Sequence, residues 1–322
     1  MSNSNTNQTN ANTSTPVNPF TVPVLPKPDW LRTRAPNLEG AAQFEHVKAL
    51  TKSKKLHTIC VEAKCPNILE CWSVGTATFL LMGDICTRYC RFCSTKSARQ
   101  GVSMLELADE PHNLAQAVKE LKLDYIVLTS VDRDDLPDQG AGHFAACIKA
   151  VKELTPEVII EVLIPDFRGD VNCIKTIVDS GPEVISHNVE TVRELQATVR
   201  DLRANYDQSL GVLVTAKKIN PKIFTKSALM LGLGEGDEQI LKTMDDLRAI
   251  DCDILTIGQY LRPSKKHIAI QNYVAPEKYT EYGKIGKEKG FLYVASGPFV
   301  RSSYRAGEFF LKNVINSRKE AK

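Results

Sequence analysis

The stretch "GTATFLLMGDICTRYCRFC", residues 75–93, joins a run of apolar and β-branched residues to a loop that carries three cysteines. The apolar run predicts a buried strand, because strands that are covered on both faces read as continuous hydrophobic runs. The loop reads C-x3-C-x2-C and contains Cys86, Cys90 and Cys93. A strand that is followed at once by closely spaced thiols predicts a metal or redox site at one end of a sheet.

Beyond this stretch the chain alternates between short apolar runs and amphipathic segments. Helix candidates lie near residues 112–122, 142–154, 170–180, 190–200, 206–220, 237–250 and 276–289. The strand candidates are "TATFLLM", "DYIVLTS", "VIIEVLIP", "EVISHN", "KSALMLG", "DILTIG" and "FLYVAS". Such alternation predicts βαβ units, a parallel sheet and hence an α/β fold. Seven units over roughly 220 residues favour a barrel, whole or partial, over two separate domains.

Polar residues cluster where the predicted strands end. They are Cys86, Thr129, Ser130, Asp132, Arg133, Asp134, Asp135, Asp166, Arg168, His187, Asn188, Glu190, Gly232, Gly234, Glu235, Gln259, Tyr260 and Arg262. In parallel α/β barrels the carboxyl ends of the strands carry the active site, because the loops there converge on one mouth. We expect the site at this end, although loops are polar in general.

Composition places the chain among globular proteins and excludes several classes. Of its 322 residues, 43% are hydrophobic and 25% charged, which is ordinary for a folded domain. No apolar run reaches about 18 residues, so no membrane span is expected. The net charge of +3 is too small to indicate nucleic acid as a main partner.

The first 28 residues are rich in Asn, Ser, Thr and Pro, and we expect residues 1–28 to form a disordered tail. They contain neither an arginine nor an apolar h-region, which argues against a transit or signal peptide. The expected compartment is therefore a reducing cytoplasm. There, clustered cysteines favour metal or redox chemistry over structural disulfides.

Two trios of cysteines suit iron–sulfur chemistry. Three thiolates on one tight loop can hold three irons of a 4Fe–4S cube, which leaves the fourth iron open to a small molecule. Structural zinc is the alternative, but it prefers four ligands in C-x2-C pairs, and only Cys90 and Cys93 have that spacing. Cys86, Cys90 and Cys93 form the second trio along the chain. The first trio, Cys60, Cys65 and Cys71, lies just upstream in "CVEAKCPNILECW", residues 60–72, with the spacing C-x4-C-x5-C.

The C-x3-C-x2-C motif after the first strand resembles the radical S-adenosylmethionine superfamily. That resemblance implies a partial (β/α)6 barrel with S-adenosylmethionine bound at the open iron through its amino and carboxylate groups. Phe92 matches the aromatic position that lies near the adenine in that superfamily. The superfamily's G-x-I-x-G-x-x-E pattern reads here as Ala228, Met230, Gly232 and Glu235, which departs from it at the first glycine.

Both trios together resemble the lipoyl synthase family. Matching stretches are "LTSVDRDDLPDQGA", "SHNVETV", "LMLGLGE", "TIGQYLRPS" and "SGPFVRSSY", and the resemblance covers residues from about 28 to 310. It implies an N-terminal extension with auxiliary-cluster ligands over residues 29–76 and the partial barrel over 77–298. A short C-terminal extension over 299–322 then contains the motif "RSSY".

The resemblance also implies a reaction and its cofactors. Two sulfur atoms would enter at carbons 6 and 8 of an octanoyl chain on a carrier-protein lysine. The cofactors would be two 4Fe–4S clusters and S-adenosylmethionine, with two molecules of the latter used per lipoyl group. Cys86, Cys90 and Cys93 would hold the radical cluster. A sacrificial auxiliary cluster would be held by Cys60, Cys65, Cys71 and Ser303, and Ser303 would also have a catalytic role.

Several residues are expected to contact the organic part of the cofactor. Asn188 and Glu190 stand two apart at a strand end and suit ribose hydroxyls, and Gly232 would let backbone approach the adenosine. The full set of expected cofactor-binding residues is Phe92, Thr129, Ser130, Asn188, Glu190, Gly232 and Glu235. Glu235 could instead cap the Gly-rich turn, and His187 is expected to be a satisfied core residue. The remaining cysteines, Cys147, Cys173 and Cys252, are expected to be buried small hydrophobes.

The expected partners are octanoylated carrier domains of 2-oxoacid dehydrogenase complexes or the glycine-cleavage H protein. An electron donor such as flavodoxin or ferredoxin and an iron–sulfur carrier complete the set. Two basic stretches, "TAKKINPKIFTK" at 215–226 and "RPSKKH" at 262–267, could meet an acidic carrier or simply be solvated. The rival functions are a biotin synthase-like or methylthiotransferase-like sulfur-inserting enzyme and a zinc-stapled interaction module.

Overall fold

A computed structural model describes residues 25–32, 38–73 and 77–303. Most of the predicted tail and most of the C-terminal extension, including Tyr304, lie outside these ranges, as does the predicted domain boundary at 76/77. None of the helices within these ranges is both long and apolar enough to cross a bilayer.

One sheet of eight strands forms the centre of the described chain, in the order β1-β2-β5-β6-β7-β8-β9-β10. The strands are β1 (His57–Thr58), β2 (Thr78–Leu81), β5 (Tyr125–Ser130), β6 (Ile159–Leu163), β7 (Val184–Ser186), β8 (Phe224–Leu231), β9 (Ile254–Gln259) and β10 (Tyr293–Ser296). Two further short strands, β3 (Ile85–Cys86) and β4 (Lys96–Ser97), form a separate parallel pair.

Seven of the strands, β2 and β5 to β10, run parallel, and each falls on a predicted apolar run. β1 is antiparallel to β2 at one edge, in register His57 with Leu80. Within the described residues β10 pairs with β9 alone, so the sheet curls without closing. The expected partial barrel is confirmed.

Helices that follow β2 connect the parallel strands, as the alternating pattern predicts, and three further helices precede β2 in the chain. The helices are α1 (Leu38–Ser53), α2 (Ile59–Glu62), α3 (Ile68–Ser73), α4 (Glu110–Glu120), α5 (Ala141–Leu154), α6 (Val171–Asp179), α7 (Gln196–Val199), α8 (Tyr206–Ile219), α9 (Asp237–Ala249) and α10 (Pro276–Glu288). The helix expected near 190–200 is only a 3-10 turn followed by α7, because the Gln196 side chain donates to the carbonyls of Val189 and Thr191 and holds a tight turn.

Side chains fill the interior of the partial barrel at the amino ends of its strands. Lys226 of β8 and Glu161 of β6 form a buried ion pair with Nζ–Oε1 at 2.7 Å. Tyr125 of β5 donates its hydroxyl to Glu161 at 2.7 Å. Apolar side chains, including Val127 and Phe224, form a cluster with Tyr125 at this end. The amino end is therefore filled, and open space is left toward the carboxyl ends of the strands.

Candidate active site

A cavity of about 490 Å³ lies at the carboxyl ends of the parallel strands. This volume is typical of small-molecule pockets. Of the polar residues expected at the strand ends, those that line it are Cys86, Thr129, Ser130, Asp132, Asp166, His187, Asn188, Glu190, Gln259, Tyr260 and Arg262. The structure sets Arg133, Asp134, Asp135, Arg168, Gly232, Gly234 and Glu235 outside its lining.

The second cysteine trio stands on a loop that folds back on itself. The pairing of β3 with β4 closes the loop, since Ile85 and Cys86 lie beside Lys96 and Ser97. All three cysteines of the trio line the cavity. The Arg88 backbone N–H donates to Cys86 Sγ at 3.4 Å, and the Asp201 N–H donates to Cys90 Sγ at 3.3 Å. Such N–H donors to sulfur stabilise thiolates and tune the reduction potential of iron–sulfur groups.

A buried arginine fixes this loop to the barrel. Arg88 makes a two-point contact with Asp166 after β6, and a second with Asp134 after β5. Asp134 also pairs with Arg168 at 3.0 Å and Arg203 at 3.1 Å. Although burial opposes it, the contact with Arg88 lowers the pKa of Asp166 to about 2. The cysteine loop is thus held at the strand ends through fully ionised pairs.

Burial controls the protonation of the thiols. It raises the pKa of Cys90 to about 12 and that of Cys86 and Cys93 above the ordinary value as well. The pKa values of Cys60 and Cys65 are raised for the same reason. Buried thiols of this kind become ligands when a metal takes the place of their protons. The clustered soft donors therefore fit iron or another thiophilic metal.

The first trio lies at the open edge of the sheet, with Cys60 in α2, Cys71 in α3 and Cys65 between the two helices. Cys60 and Cys65 line the same cavity as the second trio, whereas Cys71, in α3, is not among the lining residues. The Cys65 N–H donates to the Cys60 carbonyl at 3.0 Å, which curls the segment. Helix α1 supports it from outside, with Phe44 and Trp72 ring centroids 5.3 Å apart.

The segment that follows β10 returns to this first trio. Asn67 Nδ2 donates to the Phe299 carbonyl at 2.7 Å, and Thr78 Oγ1 donates to Ser303 Oγ at 3.0 Å. Gly258 of β9 permits the approach, because a Cβ there would lie 1.9 Å from the Val300 carbonyl oxygen. Ser303 is thereby brought into the lining of the cavity that holds Cys60 and Cys65.

Arg301 is a further arginine in the lining of the cavity. Its Nη1 donates to the Val300 carbonyl at 2.7 Å, and burial lowers its pKa. Its charge acts on Cys65 and lowers the pKa of that thiol against the larger effect of burial. Within the described chain, no carboxylate forms a salt bridge with Arg301. A cation in this position favours anionic ligands nearby.

The expected cofactor contacts divide into two groups. Phe92, Thr129, Ser130, Asn188 and Glu190 all line the cavity. Among the described side chains, Ser130 Oγ and Asn188 Oδ1 are buried without a hydrogen-bond partner, while Asn188 Nδ2 donates to Glu190 Oε1 at 3.1 Å. Buried polar atoms normally have partners, so the unpaired ones fit a polar ligand that occupies the cavity.

Gly232 and Glu235 form the second group, one layer behind the cavity. Glu235 accepts the backbone N–H groups of Gly232 at 2.5 Å and Leu233 at 2.9 Å, as a capping carboxylate does. Gly232 has φ +96°, and a Cβ on it would lie 2.1 Å from Gln259 Nε2. Leu233 packs in the apolar cluster that also contacts Phe92. Direct contact of Gly232 and Glu235 with a cofactor stays a prediction.

His187 and the three remaining cysteines lie where the sequence predicts. His187 is buried, with Nδ1 2.8 Å from the Ile164 carbonyl and Nε2 3.0 Å from Ser209 Oγ. Burial, together with the charge of Arg200, lowers its pKa to about 4, so it is neutral at physiological pH. Cys147, Cys173 and Cys252 are buried, and none of them lines the cavity.

Sequence reasoning missed the contacts that hold the site together. His267 Nε2 lies 2.9 Å from the Cys93 carbonyl, and the Ile268 N–H donates to the Arg91 carbonyl at 3.0 Å. These two bonds fix the "RPSKKH" segment to the cysteine loop. Arg88 was equally missed. An arginine inside a cysteine motif, with several aspartates at strand ends, was the available signal.

Comparisons with known proteins agree with one another. The radical SAM superfamily model matches residues 80–247. Lipoyl synthase from Ectopseudomonas mendocina is 55% identical over 288 residues, covering 89% of this chain and 81% of that protein. Mitochondrial lipoyl synthases from Zea mays and Homo sapiens are 51% and 52% identical, covering 92% and 91% of this chain and 77% and 78% of their own lengths.

Solved structures support the fold alone. The FeFe-hydrogenase maturase HydG from Carboxydothermus hydrogenoformans superposes with a TM-score of 0.52 at 11% identity, covering 85% of this chain and 78% of that one. Coproporphyrinogen III oxidase from Escherichia coli gives 0.51 at 15% identity, over 65% and 51%.

Proposed function

We propose a division of labour between the two cysteine trios, starting from the fact that this chain belongs to the lipoyl synthases of the radical SAM superfamily. It is a sulfur-inserting enzyme, which makes the lipoyl group by adding two sulfur atoms, at carbons 6 and 8, to an octanoyl chain on a carrier protein. Its cofactors are 4Fe–4S clusters and S-adenosylmethionine. The roles of individual residues are the proposal.

When bound, these cofactors supply a carbon-centred radical that can take hydrogen from an unactivated C–H bond, and the sulfur that replaces it. Cys86, Cys90 and Cys93 are proposed to hold the cluster at which S-adenosylmethionine binds. The N–H groups of Arg88 and Asp201 donate to two of these sulfurs, and the Arg88 side chain keeps the loop at the strand ends. A fixed loop limits stray reactions of a radical.

Five residues are proposed to bind the organic part of S-adenosylmethionine: Phe92, Thr129, Ser130, Asn188 and Glu190. Phe92 offers an apolar face for the adenine, and Asn188 with Glu190 offers hydrogen bonds for the ribose hydroxyls. The unpaired atoms Ser130 Oγ and Asn188 Oδ1 support this role, since a ligand would satisfy them. For Gly232 and Glu235 cofactor contact stays the prediction, and it is supported by the apolar cluster that Leu233, between them, shares with Phe92.

The first trio, Cys60, Cys65 and Cys71, is proposed to hold the auxiliary cluster, with Ser303 as its fourth ligand. A serine oxygen is a poorer partner than a thiolate for soft iron–sulfur chemistry, so Ser303 would hold its iron more weakly than the three cysteines would hold theirs. Thr78 positions the Ser303 hydroxyl, and the charge of Arg301 compensates the negative charge that the thiolates bring.

The carrier protein follows from the family, and its identity is proposed. Carrier domains of 2-oxoacid dehydrogenase complexes and the glycine-cleavage H protein are the candidates, with flavodoxin or ferredoxin as electron donor and an iron–sulfur carrier for repair. The cytoplasm is the proposed compartment. The bacterial relative supports it, whereas the relatives from Zea mays and Homo sapiens are named as mitochondrial.

One observation carries the assignment: cysteines from both trios, Ser303 and the candidate S-adenosylmethionine contacts line a single cavity. The test is anaerobic turnover with an octanoyl-lysine peptide, followed by mass spectrometry. Gain of two sulfur atoms is the expected result. Hydroxylated or singly sulfurated product alone would contradict the assignment. A brown colour with absorbance at about 400 nm in the purified protein would also exclude a module that binds zinc alone.

A further inference from the structure

The mouth of the cavity carries three lysines, Lys64, Lys265 and Lys266, which we call the mouth lysines. Lys64 is exposed and lines the cavity itself. Lys265 and Lys266 are exposed and directly follow Ser264, after the lining residues Arg262 and Pro263. Across residues 25–32, 38–73 and 77–303, the salt bridges include none of these three ammonium groups.

The turn that presents Lys265 and Lys266 is preformed. Arg262 Nη2 donates to the Lys265 carbonyl at 2.7 Å, and its Nε donates to the His267 carbonyl at 2.8 Å. Ser264 Oγ lies 2.9 Å from His267 Nδ1. The other ring nitrogen of His267 contacts the Cys93 carbonyl, so the turn is anchored on the cysteine loop. A surface that is already ordered loses little entropy on binding.

Two exposed apolar side chains also stand close in sequence to the cavity lining. Tyr89 and Leu202 are 53% and 83% exposed, and the Tyr89 N–H donates to Asp201, the neighbour of Leu202. Both are close in sequence to residues that line the cavity. Tyr89 lies between Arg88 and Cys90, and Leu202 follows Arg200 by two positions. Large exposed apolar side chains rimmed by charge are typical of protein-binding surfaces.

The other basic stretch, 215–226, lies at the opposite end of the barrel. Lys226 is buried against Glu161 at the filled amino end, and Lys217 pairs with Asp253 at 2.6 Å. Lys218 and Lys222 are exposed there. Positive charge at that end cannot meet a substrate that enters the cavity. Of the two basic stretches, only "RPSKKH" lies at the mouth.

We propose that the mouth lysines, with Tyr89 and Leu202, dock an acidic protein domain whose octanoyl-lysine arm enters the cavity. The inference rests on the proposed function, because it takes the octanoylated carrier as the substrate of this cavity. A protein domain whose side-chain arm enters the cavity must contact the enzyme surface around the cavity mouth. Exposed ammonium groups attract carboxylates there and speed association in a salt-dependent manner.

The test compares two charge reversals of equal size. Lys265→Glu with Lys266→Glu alters the mouth, and Lys218→Glu with Lys222→Glu alters the opposite end. Each variant is assayed with an octanoylated, net-negative lipoyl-carrier domain and with a short uncharged octanoyl-lysine peptide. The mouth variant should raise KM for the domain by about tenfold or more while leaving peptide turnover unchanged. The control variant should match the wild type on both substrates.

Salt provides a second readout. Raising ionic strength should increase KM for the domain with wild-type enzyme, and the increase should be smaller in the mouth variant. Equal KM values for the domain in the mouth and control variants would overturn the docking proposal. If the wild-type enzyme failed to add sulfur to the peptide, the proposed function would be wrong instead. Failure of the docking proposal and failure of the proposed function therefore give different results.

Discussion

Arg88 and Asp166 stand 78 positions apart, yet their side chains meet in a two-point contact, with both Nη–Oδ distances at 2.6 Å. The same guanidinium donates to Asp134, from Nε at 2.9 Å and from Nη2 at 3.1 Å. All three side chains are almost fully buried. This contact joins the loop of the second trio to the ends of β5 and β6, so one buried side chain contributes strongly to the placement of three thiols.

Replacing Arg88 by Met should therefore destabilise the protein strongly. It leaves Asp134 and Asp166 buried without their main partner, which typically costs about 3–5 kcal/mol. The matched control is Arg168→Met, which breaks a contact of a half-exposed arginine with the same Asp134 and should cost about 1 kcal/mol or less. Denaturant titration of the cluster-free protein measures both. Similar losses in the two variants would refute the anchoring role.

The two trios should prove separable by iron analysis. Alanine at Cys86, Cys90 and Cys93 should lower bound iron from about eight to about four per chain and abolish cleavage of S-adenosylmethionine. Alanine at Cys60, Cys65 and Cys71 should lower iron equally, with cleavage retained and no sulfur inserted. Formation of 5′-deoxyadenosine by the first variant would show that the roles are misassigned.

Glu190 should contribute to binding of S-adenosylmethionine. Its truncation to Ala should weaken binding by about 1–3 kcal/mol, the usual loss for a buried polar contact. Glu194→Ala is the control, because Glu194 is exposed on the next turn. Equilibrium titration of cluster-loaded protein gives both affinities, and equal values for the two variants would rule out the contact.

Ser303 should matter to the auxiliary cluster alone. Ser303→Ala and Ser303→Cys should retain the radical cluster and lose most lipoyl product, because the auxiliary cluster then lacks its weakly bound oxygen ligand. Ser302→Ala is the control from the same motif. Mössbauer spectra should report a changed iron site in the two Ser303 variants only. Wild-type levels of doubly sulfurated product from Ser303→Ala would reject this role.

His187 should make stability depend on pH. Its pKa falls to about 4 in the folded protein through burial and the nearby Arg200 charge, against about 6.5 when unfolded. Between these values the unfolded chain binds more protons, so stability decreases as pH falls from about 6.5 to 4, by roughly 3 kcal/mol in all. His187→Gln should flatten this part of the profile. An unchanged slope in denaturant titrations at pH 7 and 5 would contradict it.

The sequence predicted the strands well and the contacts poorly. All seven parallel strands fall on predicted runs because burial on both faces leaves a continuous apolar signal. The contacts of Arg88 with Asp166 and of His267 with the Cys93 carbonyl join distant segments, and no local pattern encodes them. Gly232 and Glu235 show the limit of a motif, since a motif fixes spacing but not whether a residue lies at the cavity surface or one layer behind it.

Gly258 carries a consequence for how this sequence can change. The Val300 carbonyl occupies the space in which any side chain at position 258 would have to stand. One added methyl group on β9 would thus displace the segment that bears Ser303, although Gly258 precedes Ser303 by 45 positions. Variation at this small, chemically inert position is constrained as tightly as variation at a ligand. A survey of mutational tolerance would rank it with the cysteines.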